Sequence, residues 1–578
     1  MEKWRSDWRR VYGDRAYILL LSLVAACGYG FKIVHPVMGI DDTPYAYYFE
    51  EGLAAVVGRW VLFLLNKVVH IAEFAPFITD LAAVLLLMAA VSVWGLLFYR
   101  VLGDRIPKYG YWLFSCIFLS CPLISEVFTY FLHNGIAIGY LSCGLSLGLM
   151  QEGLERVERR KSRQAVGLFA LSAALLVVAM GCYESFMIVW LVGIFLILLS
   201  ERLAGGTRRP AATRGLSKAR GPSGVFGLPC IKLAVAAVTA AAAMLLRSIV
   251  LKIVIAAFGL GYLREAAVQR SLAEIAGWML QPGARAEFAM VLKRVFVQYV
   301  VFAHAYYPIK IFVLASLVIC LCSLGMSIRR RDVGILLLTA GCFVAAFLLT
   351  VVEGKATLYR SAQFVPLICG YGILMAVYAV SGAMGAAKRR GIGNTALRRG
   401  AGAVCAVVSA VILWNQCADL NHWFYVDYRK YEYAKEYMAQ VALELEQNFD
   451  TSKPVVFTGE WENPEGLVED AYVRYDDPRF YEMKRITDLV DEHLLEKYYR
   501  GYGVWVAQTP ALSVISWGKY AFDNDEELIR FMAFHGHGLL PHADGSYYTE
   551  AENYAADMPH FPREGSIVDA GDYIIVHF

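Results

Sequence analysis

Two pairs of acidic residues lie in the segment that follows the first long apolar run of the chain. Asp41 and Asp42 are adjacent, and Glu50 and Glu51 follow within the same stretch, GIDDTPYAYYFEEG. A carboxylate placed there could accept the proton of an attacking hydroxyl group, which is general-base catalysis. It could equally hold a divalent cation, Mg²⁺ or Mn²⁺, that neutralises a leaving phosphate. The alternative is a hydrated N-cap of the next helix, but two neighbouring aspartates cannot both be the cap.

The composition indicates a polytopic α-helical membrane protein. Of 578 residues, 58% are hydrophobic and 18% are charged, with a mean hydropathy of +0.47, whereas soluble chains carry roughly 25% charged residues. The first apolar run, 17–34, lacks a small-residue cleavage site and predicts a signal anchor. The twelve cysteines lie mostly in apolar runs and show no CxxC or Cys/His spacing, so they are expected to pack as small hydrophobic residues.

The apolar runs predict a topology. A helix needs about 20 apolar residues to cross the hydrocarbon core, and about eleven segments qualify. They are approximately 16–35, 77–99, 110–128, 133–150, 164–183, 185–200, 230–256, 308–326, 333–352, 361–381 and 400–419. Basic clusters precede the first span and follow every even-numbered one, which predicts a cytoplasmic N-terminus and an external C-terminus. The apolar stretch 288–307 is interpreted as an interfacial helix on the outer face, because a further span there would invert all later loops.

The segments outside the spans suggest two domains. We expect a transmembrane catalytic domain at 1–420, with outer loops at 36–76 and 259–307, and an extracytoplasmic α/β domain at 421–578. The short apolar stretch 61–72 within the first loop fits a helix along the membrane interface. In the tail, strand-like runs alternate with helical patterns. The strands are expected at 453–460, 503–508 and 572–578, and the helices at 427–449 and 524–536.

The first outer loop also carries a resemblance to a known family. The Asp-Asp pair followed by Gly-Arg-Trp, in GIDDTPYAYYFEEGLAAVVGRWVLFLL (39–65), resembles the opening of the Gtr-type serotype-converting glucosyltransferases that modify O-antigen. These are bacterial membrane enzymes of the GT-C superfamily. Shorter islands are similar as well, namely GCYESFMIVWL (181–191), DLNHWFYVDYRKYEYAKE (419–436) and MPHFPREGSIVDAGDYIIVHF (558–578).

The resemblance implies a function and a location. Such enzymes transfer a sugar, typically glucose, from a polyprenyl-phosphate carrier to a glycan or other acceptor at the outer face of the bacterial cytoplasmic membrane. GT-C enzymes place an essential acid in the first outer loop, so Asp41 and Asp42 become the expected catalytic residues, with Asp42 as base or metal ligand and Asp41 as its support. The implied partners are the lipid-linked donor, the acceptor and the bilayer. No Gly-rich loop or P-loop pattern supports a nucleotide site, and no nucleic acid is expected.

A departing phosphate must be stabilised by fixed cations, and the arginine fork suits phosphate because it donates two parallel hydrogen bonds. The candidates on the predicted outer face are Arg59, Arg247, Lys252, Arg264, Lys355 and Arg360. The alternative for each is a side chain that snorkels to lipid headgroups, and Glu353 could pair with either of the last two.

The predicted outer end of the fifth span carries Tyr183 and Glu184, which are candidate contacts to the sugar or the acceptor. A simply solvated carboxylate is the alternative. His133 and Asn134 are interpreted as structural. Most tryptophans and tyrosines of the outer segments, Trp60 among them, are interpreted as interface-belt residues. The alternative for a few of them is stacking on sugar rings.

Two other function classes compete with the sugar transferase. A transporter or flippase of lipid-linked glycans would need ionisable residues deep within spans and usually an internal repeat, neither of which is clear. A membrane anchor for a surface-binding domain would need far fewer spans. A glycan ligase or polymerase is the related enzymatic alternative.

Overall fold

A computed structural model describes residues 2–39, 52–69, 77–128, 133–159, 161–205, 224–264, 277–280, 310–353, 359–389, 395–459, 524–543 and 545–578, together with several single positions between them that include Asp42 and Tyr47. The predicted interfacial helix at 288–307 and the predicted strand at 503–508 lie largely or wholly outside these residues.

The described residues are mostly helical. The first helices are α1 (Glu2–Tyr12), α2 (Arg15–Val34), α3 (Gly52–Val56), α4 (Trp60–Val69), α5 (Ile78–Leu102), α6 (Lys108–Leu119), α7 (Ile124–Phe128), α8 (His133–Glu158) and α9 (Ser162–Cys182). They are followed by α10 (Phe186–Leu203), α11 (Gly224–Ala257), α12 (Lys310–Arg330), α13 (Gly334–Ala346), α14 (Leu348–Glu353), α15 (Phe364–Arg389) and α16 (Thr395–Asn448). The last helices are α17 (Asp525–Phe534) and α18 (Tyr548–Ala555).

Among these helices, 8 are long and apolar enough to cross a membrane, namely α2, α5, α9, α10, α11, α12, α15 and α16. The protein is therefore a polytopic helical membrane protein. The other three predicted spans also fall on helical segments. The span at 110–128 is divided between α6 and α7 on either side of Pro122, which cannot continue a helix, and that at 333–352 is divided between α13 and α14. The span at 133–150 forms part of α8. The count of eleven and the orientation stay predictions.

The transmembrane core contains large aromatic side chains, and several of them bond their polar atoms inside the protein. Trp94 and Trp190 are fully buried. The indole N–H of Trp94 donates to the Tyr140 carbonyl (3.0 Å), and that of Trp190 donates to Ser146 Oγ (2.9 Å). The Tyr140 hydroxyl donates to the Gln363 carbonyl at 2.6 Å. Such pairing is needed because the bilayer core offers no water to satisfy these groups.

One end of the bundle is held together by arginines around the C-terminus of α10. Arg202 donates to both carboxylate oxygens of Asp332 (2.7 and 2.6 Å), and these bonds hold the pKa of Asp332 below its ordinary value. Arg330 donates to the carbonyls of Arg202 and Leu203, both at 2.8 Å. Cations stabilise a helix C-terminus because its last carbonyls are unsatisfied and carry negative partial charge. We call this the basic end, and the positive-inside rule predicts that it faces the cytoplasm.

The helix α16 runs without a break from the apolar segment into the C-terminal part of the chain. It passes the predicted domain boundary at 420 and joins the predicted last span to the predicted helix at 427–449. Three strands follow, β1 (Val455–Thr458), β2 (Ile567–Asp569) and β3 (Ile574–His577). Their order is β1-β3-β2, with β1 parallel and β2 antiparallel to β3. The elements β1, β3 and α17 lie where the sequence predicts two strands and a helix, and the domain division stays a prediction.

A second apolar core lies between α16, α17 and the sheet. Met438 of α16 and Phe531 of α17 are fully buried in it. At its edge, burial lowers the pKa of His535 to about 4, so the ring is neutral at pH 7. Its Nε2 lies 3.1 Å from the Tyr431 hydroxyl, which ties α17 to α16.

Described residues of the predicted first outer loop are found in both cores. Val37, Met38 and Tyr47 are buried in the second core. Trp60 and Phe63, at the start of α4, are buried in the transmembrane core. Val37, Met38 and Tyr47 therefore pack with the C-terminal elements, and the predicted interfacial stretch 61–72 begins inside the helix bundle.

The contact between α8 and the start of α10 predicts a strict size limit at Gly139. A Cβ there would overlap the ring of Phe186, whereas a Cβ at Gly167 in α9 would meet nothing within 4 Å. We expect Gly139→Ala to destabilise the protein by about 1–3 kcal/mol through overpacking. Gly167→Ala should be neutral or stabilising by up to about 1 kcal/mol because alanine is the better helix former. Thermal unfolding of both variants in detergent checks this, and equal melting temperatures would contradict the packing described.

Candidate functional site

The turn between α3 and α4 fixes where Arg59 and Trp60 point. Gly58 has a φ of 97°, in the left-handed region that favours glycine. Its N–H donates to the Ala55 carbonyl (2.9 Å), and the N–H of Arg59 donates to the Ala54 carbonyl (2.7 Å). This pair of bonds is the Schellman termination of a helix. The Gly-Arg-Trp sequence thus consists of a helix stop, a cation and the first residue of the next helix.

Gly58 lies directly against an ion pair. Arg247 of α11 donates through Nη2 to Glu184 Oε1 at 2.5 Å and to the Gly58 carbonyl at 3.4 Å. A Cβ on Gly58 would overlap both Glu184 Oε1 and Arg247 Nη2. The absence of a side chain at this position therefore allows the ion pair to lie on the backbone of the turn.

Arg59 stacks on an aromatic ring. Its guanidinium carbon lies 4.8 Å from the ring centre of Tyr183, a distance at which a cation is attracted to the ring face. The Tyr183 hydroxyl lies 3.5 Å from Ser361 Oγ, in the short 3-10 turn Tyr359–Ser361 before α15. The turn at Gly58, the end of α9 and the start of α15 therefore meet at one place.

Trp60, the residue after Arg59, continues these contacts toward the helix bundle. A Cβ on Gly181 would lie 2.5 Å from Cε2 and 2.6 Å from Nε1 of the Trp60 indole, so the ring packs on the bare backbone of α9. Gly135, at the start of α8, packs in the same way against Leu62 of α4. Both contacts need glycine, and together they place the N-terminus of α8 beside α4.

Several buried polar atoms at this junction have no hydrogen-bond partner among the described residues. They are Nε of Arg59, Nε1 of Trp60, Nδ2 of Asn134, Oγ of Ser185 and Nε of Arg247. We call these five residues the donor cluster, because each of the atoms can donate a hydrogen bond. Folded proteins pair nearly all buried polar atoms. A concentration of unpaired donors therefore points to a ligand rich in acceptor oxygens, as phosphates and sugars are.

We call residues 37–52, which carry the two acidic pairs, the acidic loop. The structure describes Asp42 in this loop, whereas Asp41 lies outside the described residues. Asp42 is only 2% exposed. Its Oδ2 accepts from the Gly39 N–H (2.9 Å), and its own N–H donates to the Gly39 carbonyl (3.0 Å). These reciprocal bonds fix the orientation of the carboxylate. Within the described part of the chain, no group of three or more His, Cys, Asp or Glu side chains could hold a metal ion.

The structure connects the other predicted cations less closely to the donor cluster. Lys252 is exposed on α11, and the described contacts do not join it to the donor cluster. The backbone of Arg264 ends the 3-10 turn Leu260–Arg264, which packs on Gly52 of α3, but its side chain lies outside the described residues. Arg360 directly precedes Ser361, and its carbonyl accepts from Gln363 Nε2 at 2.6 Å. Lys355 and the side chain of Glu353 lie outside the described residues.

The structure thus brings together Arg59, Arg247, Tyr183 and Glu184 from the predicted set. It adds residues that the sequence alone did not assign to the site. Trp60 was interpreted as an interface residue and Asn134 as structural, yet each has a buried unpaired donor atom. The signal that could have found Trp60 was Gly181, since the pair fits together only if position 181 has no side chain.

A comparison with protein families now bears on this junction. The family described as Glucosyl transferase GtrII matches residues 30–377, more than half of the chain. The chain belongs to the GtrII glucosyl transferase family. The match confirms the resemblance predicted from the Asp-Asp pair and Gly-Arg-Trp, and it places this GtrII member among the glycosyltransferases. The matched range contains the acidic loop and the whole donor cluster, and it ends within α15. Comparisons with curated proteins and with solved structures find no match.

Gly58 offers a test of the turn in this GtrII member. Alanine at Gly58 or at Gly259 must adopt a left-handed backbone, which costs about 1–2 kcal/mol. A Cβ at Gly259 meets nothing within 4 Å, so Gly259→Ala is the matched control. We expect Gly58→Ala to lower the melting temperature further and to abolish most sugar transfer, because its Cβ displaces Arg247 from Glu184.

The measurements are thermal unfolding in detergent and transfer to a surface glycan. If both variants lose the same stability and keep the same activity, the backbone contact of the ion pair has no functional role.

Proposed function

We propose that this GtrII family member moves a sugar, typically glucose, from a polyprenyl-phosphate carrier to a glycan or other acceptor at the outer face of the bacterial cytoplasmic membrane. The bond between the sugar C1 and the phosphate oxygen breaks, and its electron pair leaves with polyprenyl phosphate. An acceptor hydroxyl forms the new bond to C1 and gives its proton to a carboxylate of the acidic loop. This is the reaction class of GT-C membrane glycosyltransferases.

The donor cluster is the observation that carries the proposal. Two guanidinium groups, Arg59 and Arg247, each keep a buried Nε without a partner. Donors fixed in advance around a developing negative charge are a strong source of catalysis, because they need no reorganisation during the reaction. The carrier phosphate gains this charge as it leaves. Lys252, Arg264, Lys355 and Arg360 remain candidates for additional contacts to it.

The pairing of Arg247 with Glu184 suits a neutral sugar next to a charged phosphate. Arg247 can bind the phosphate through Nε while Glu184 keeps Nη2. Glu184 is half-exposed, with 46% of its side chain accessible, so its carboxylate can also accept a hydrogen bond from a sugar hydroxyl. The ring of Tyr183 beside Arg59 gives the sugar an apolar surface. We assign these two residues to sugar or acceptor contact.

A lipid-linked donor is supported by the surroundings of Arg247. Only 17% of the apolar window of α11 is buried inside the protein. Leu246 and Ile249, on either side of Arg247, and Ile253 further along are exposed. An apolar surface of this kind faces the acyl chains of a bilayer. A polyprenyl chain can therefore lie along α11 in the membrane while its phosphate reaches the donor cluster.

The direction of the helices supports an external site. The basic end contains the C-terminus of α10, whereas Tyr183, Glu184 and Ser185 connect α9 to the opposite end of α10. If the basic end is cytoplasmic, the donor cluster lies at the outer face, and we place the C-terminal α/β region on that side as well.

The acidic loop supplies the proposed base, with Asp42 as the acceptor of the proton and Asp41 as its support. Asp42→Asn tests this role, and the asparagine carbonyl can still accept from the Gly39 N–H. General-base catalysis contributes about 10²–10⁴-fold, so we expect transfer to fall at least 10²-fold. The measurement is sugar content of the surface glycan in cells that accumulate the variant at the normal level.

Asp104→Asn is the matched control, since Asp104 forms an exposed ion pair with Arg10 at 2.8 Å and 64% of each side chain is accessible. It should leave transfer unchanged. A normally modified surface glycan with Asp42→Asn would contradict the proposed base.

A second test concerns the carrier. Purified protein supplied with polyprenyl-phosphate-glucose and the acceptor glycan should release polyprenyl phosphate. We expect Arg59→Gln to raise the KM for the donor at least about thirtyfold, since removing one partner of a buried charge pair costs about 2–5 kcal/mol. Arg59→Lys should restore little, because lysine lacks the planar fork. Movement of the lipid-linked sugar across a vesicle membrane without cleavage of its bond would favour a flippase instead.

A further inference from the structure

Three described residues on either side of Asp42 are buried in the C-terminal core. Met38 is fully buried, and Val37 and Tyr47 are each 5% exposed. Their core also contains Phe531 and Met532 of α17, which follow them by almost five hundred positions in the chain. Asp42 lies between these buried positions, so the path of its backbone is set by the C-terminal elements as well as by α2.

Arg530 of α17 makes a direct polar contact with this loop at Tyr47. Its Nη1 donates to the Tyr47 carbonyl at 3.1 Å. Its Nε and Nη2 both donate to Glu526 Oε1, at 2.9 and 2.8 Å. Glu526 lies one helical turn earlier, so it holds the guanidinium plane in place and directs Nη1 at the loop. The ring of Phe534 adds an edge-on contact to the Tyr47 ring, with centroids 6.0 Å apart.

The other end of the loop is also held. Lys32, near the end of α2, is buried and donates from Nζ to the Val37 carbonyl at 3.1 Å. Its charge interacts with Asp427, which is buried on α16. Val37 and Tyr47 are thus each held by a cation, Val37 by Lys32 beside α16 and Tyr47 by Arg530 on α17.

From these contacts we propose that Arg530 is a positioning residue for sugar transfer, and that α17 serves as a clamp on the acidic loop. The inference rests on the proposed function of Asp42 as the base. Arg530 does not touch the substrate. It holds the Tyr47 backbone so that the Asp42 carboxylate stays within hydrogen-bond reach of the acceptor. The family match ends at residue 377, so the assignment comes from the structure.

The clamp has an effect that can be measured apart from activity. Backbone amides exchange with solvent through local opening. We expect Arg530→Ala to accelerate hydrogen exchange of peptides covering 37–47 about tenfold in the full-length protein. Arg530→Lys should largely restore the slow exchange, because an ammonium group can still donate to the Tyr47 carbonyl. Phe534→Ala is a second, milder variant that removes the ring contact and should accelerate the same peptides.

Kinetics with polyprenyl-phosphate-glucose test the catalytic consequence. A small misplacement of a catalytic group can cost up to about 10²-fold in rate. We expect Arg530→Ala to lower kcat at least tenfold while the KM for the donor stays within twofold, because the donor cluster is untouched. Arg530→Lys should recover most of kcat.

The matched control is Lys453→Met. Lys453 pairs with Asp569 at 2.7 Å next to the sheet, so this variant perturbs the same region without touching the loop, and it should leave exchange of 37–47 and kcat unchanged.

The outcomes separate the clamp from the function on which it rests. Unchanged exchange at 37–47 in Arg530→Ala and Phe534→Ala overturns the clamp, whatever Asp42→Asn does. Faster exchange with a normal kcat overturns the positioning role. If the Asp42→Asn variant is active, Asp42 is not the base. The hydrogen-exchange result for 37–47 does not depend on that outcome.

Discussion

The candidate site depends on a close approach of backbone to side chains that only glycine permits. At Gly58 the chain takes a left-handed turn, ends α3 and brings its carbonyl to Arg247, while the space where a Cβ would stand is filled by Glu184 and Arg247. The same turn aims Arg59 at Tyr183. Gly181 of α9 and Gly135 of α8 also allow a side chain to pack directly on the backbone. Three missing side chains thus set the separation between the loop and the helix ends, and the cations depend on that separation.

Cations at the edge of a membrane are costly unless something offsets their charge. Arg247 is offset by Glu184 at 2.5 Å, and Arg59 by the electron-rich face of Tyr183. Neither partner uses all the donors of its arginine, since both Nε atoms remain unpaired. The pairing therefore stabilises the two cations while leaving specific hydrogen-bond donors for the proposed anion. A site fully paired within the protein would be more stable but would have nothing left to bind a phosphate.

The sequence predicted the membrane class, the positions of the helical segments and the glucosyltransferase family. The long apolar runs made the helices visible, and the Asp-Asp and Gly-Arg-Trp spacing pointed to the family. Arg59, Arg247 and Glu184 could be selected because charge is rare in such surroundings, and Tyr183 because it precedes Glu184 at the predicted outer end of the fifth span. Sequence could not predict that these four meet, because the contact of residue 58 with residue 247 depends on helix packing. Trp60 was interpreted as an interface residue and Ser185 was not selected, because an indole or a hydroxyl is ordinary near a membrane surface. The contact of Arg530 with Tyr47 spans most of the chain and leaves no local pattern.

The uninterrupted helix α16 has a mechanical consequence. Its 54 residues would extend about 80 Å at the rise of an α-helix, and within it no proline or loop offers a hinge between the apolar segment and the sheet. A tilt of this helix in the bilayer must therefore move the sheet, α17 and the backbone around Tyr47 together. A change in membrane thickness or in the packing of neighbouring lipids would then alter the position of Tyr47 through the tilt of α16.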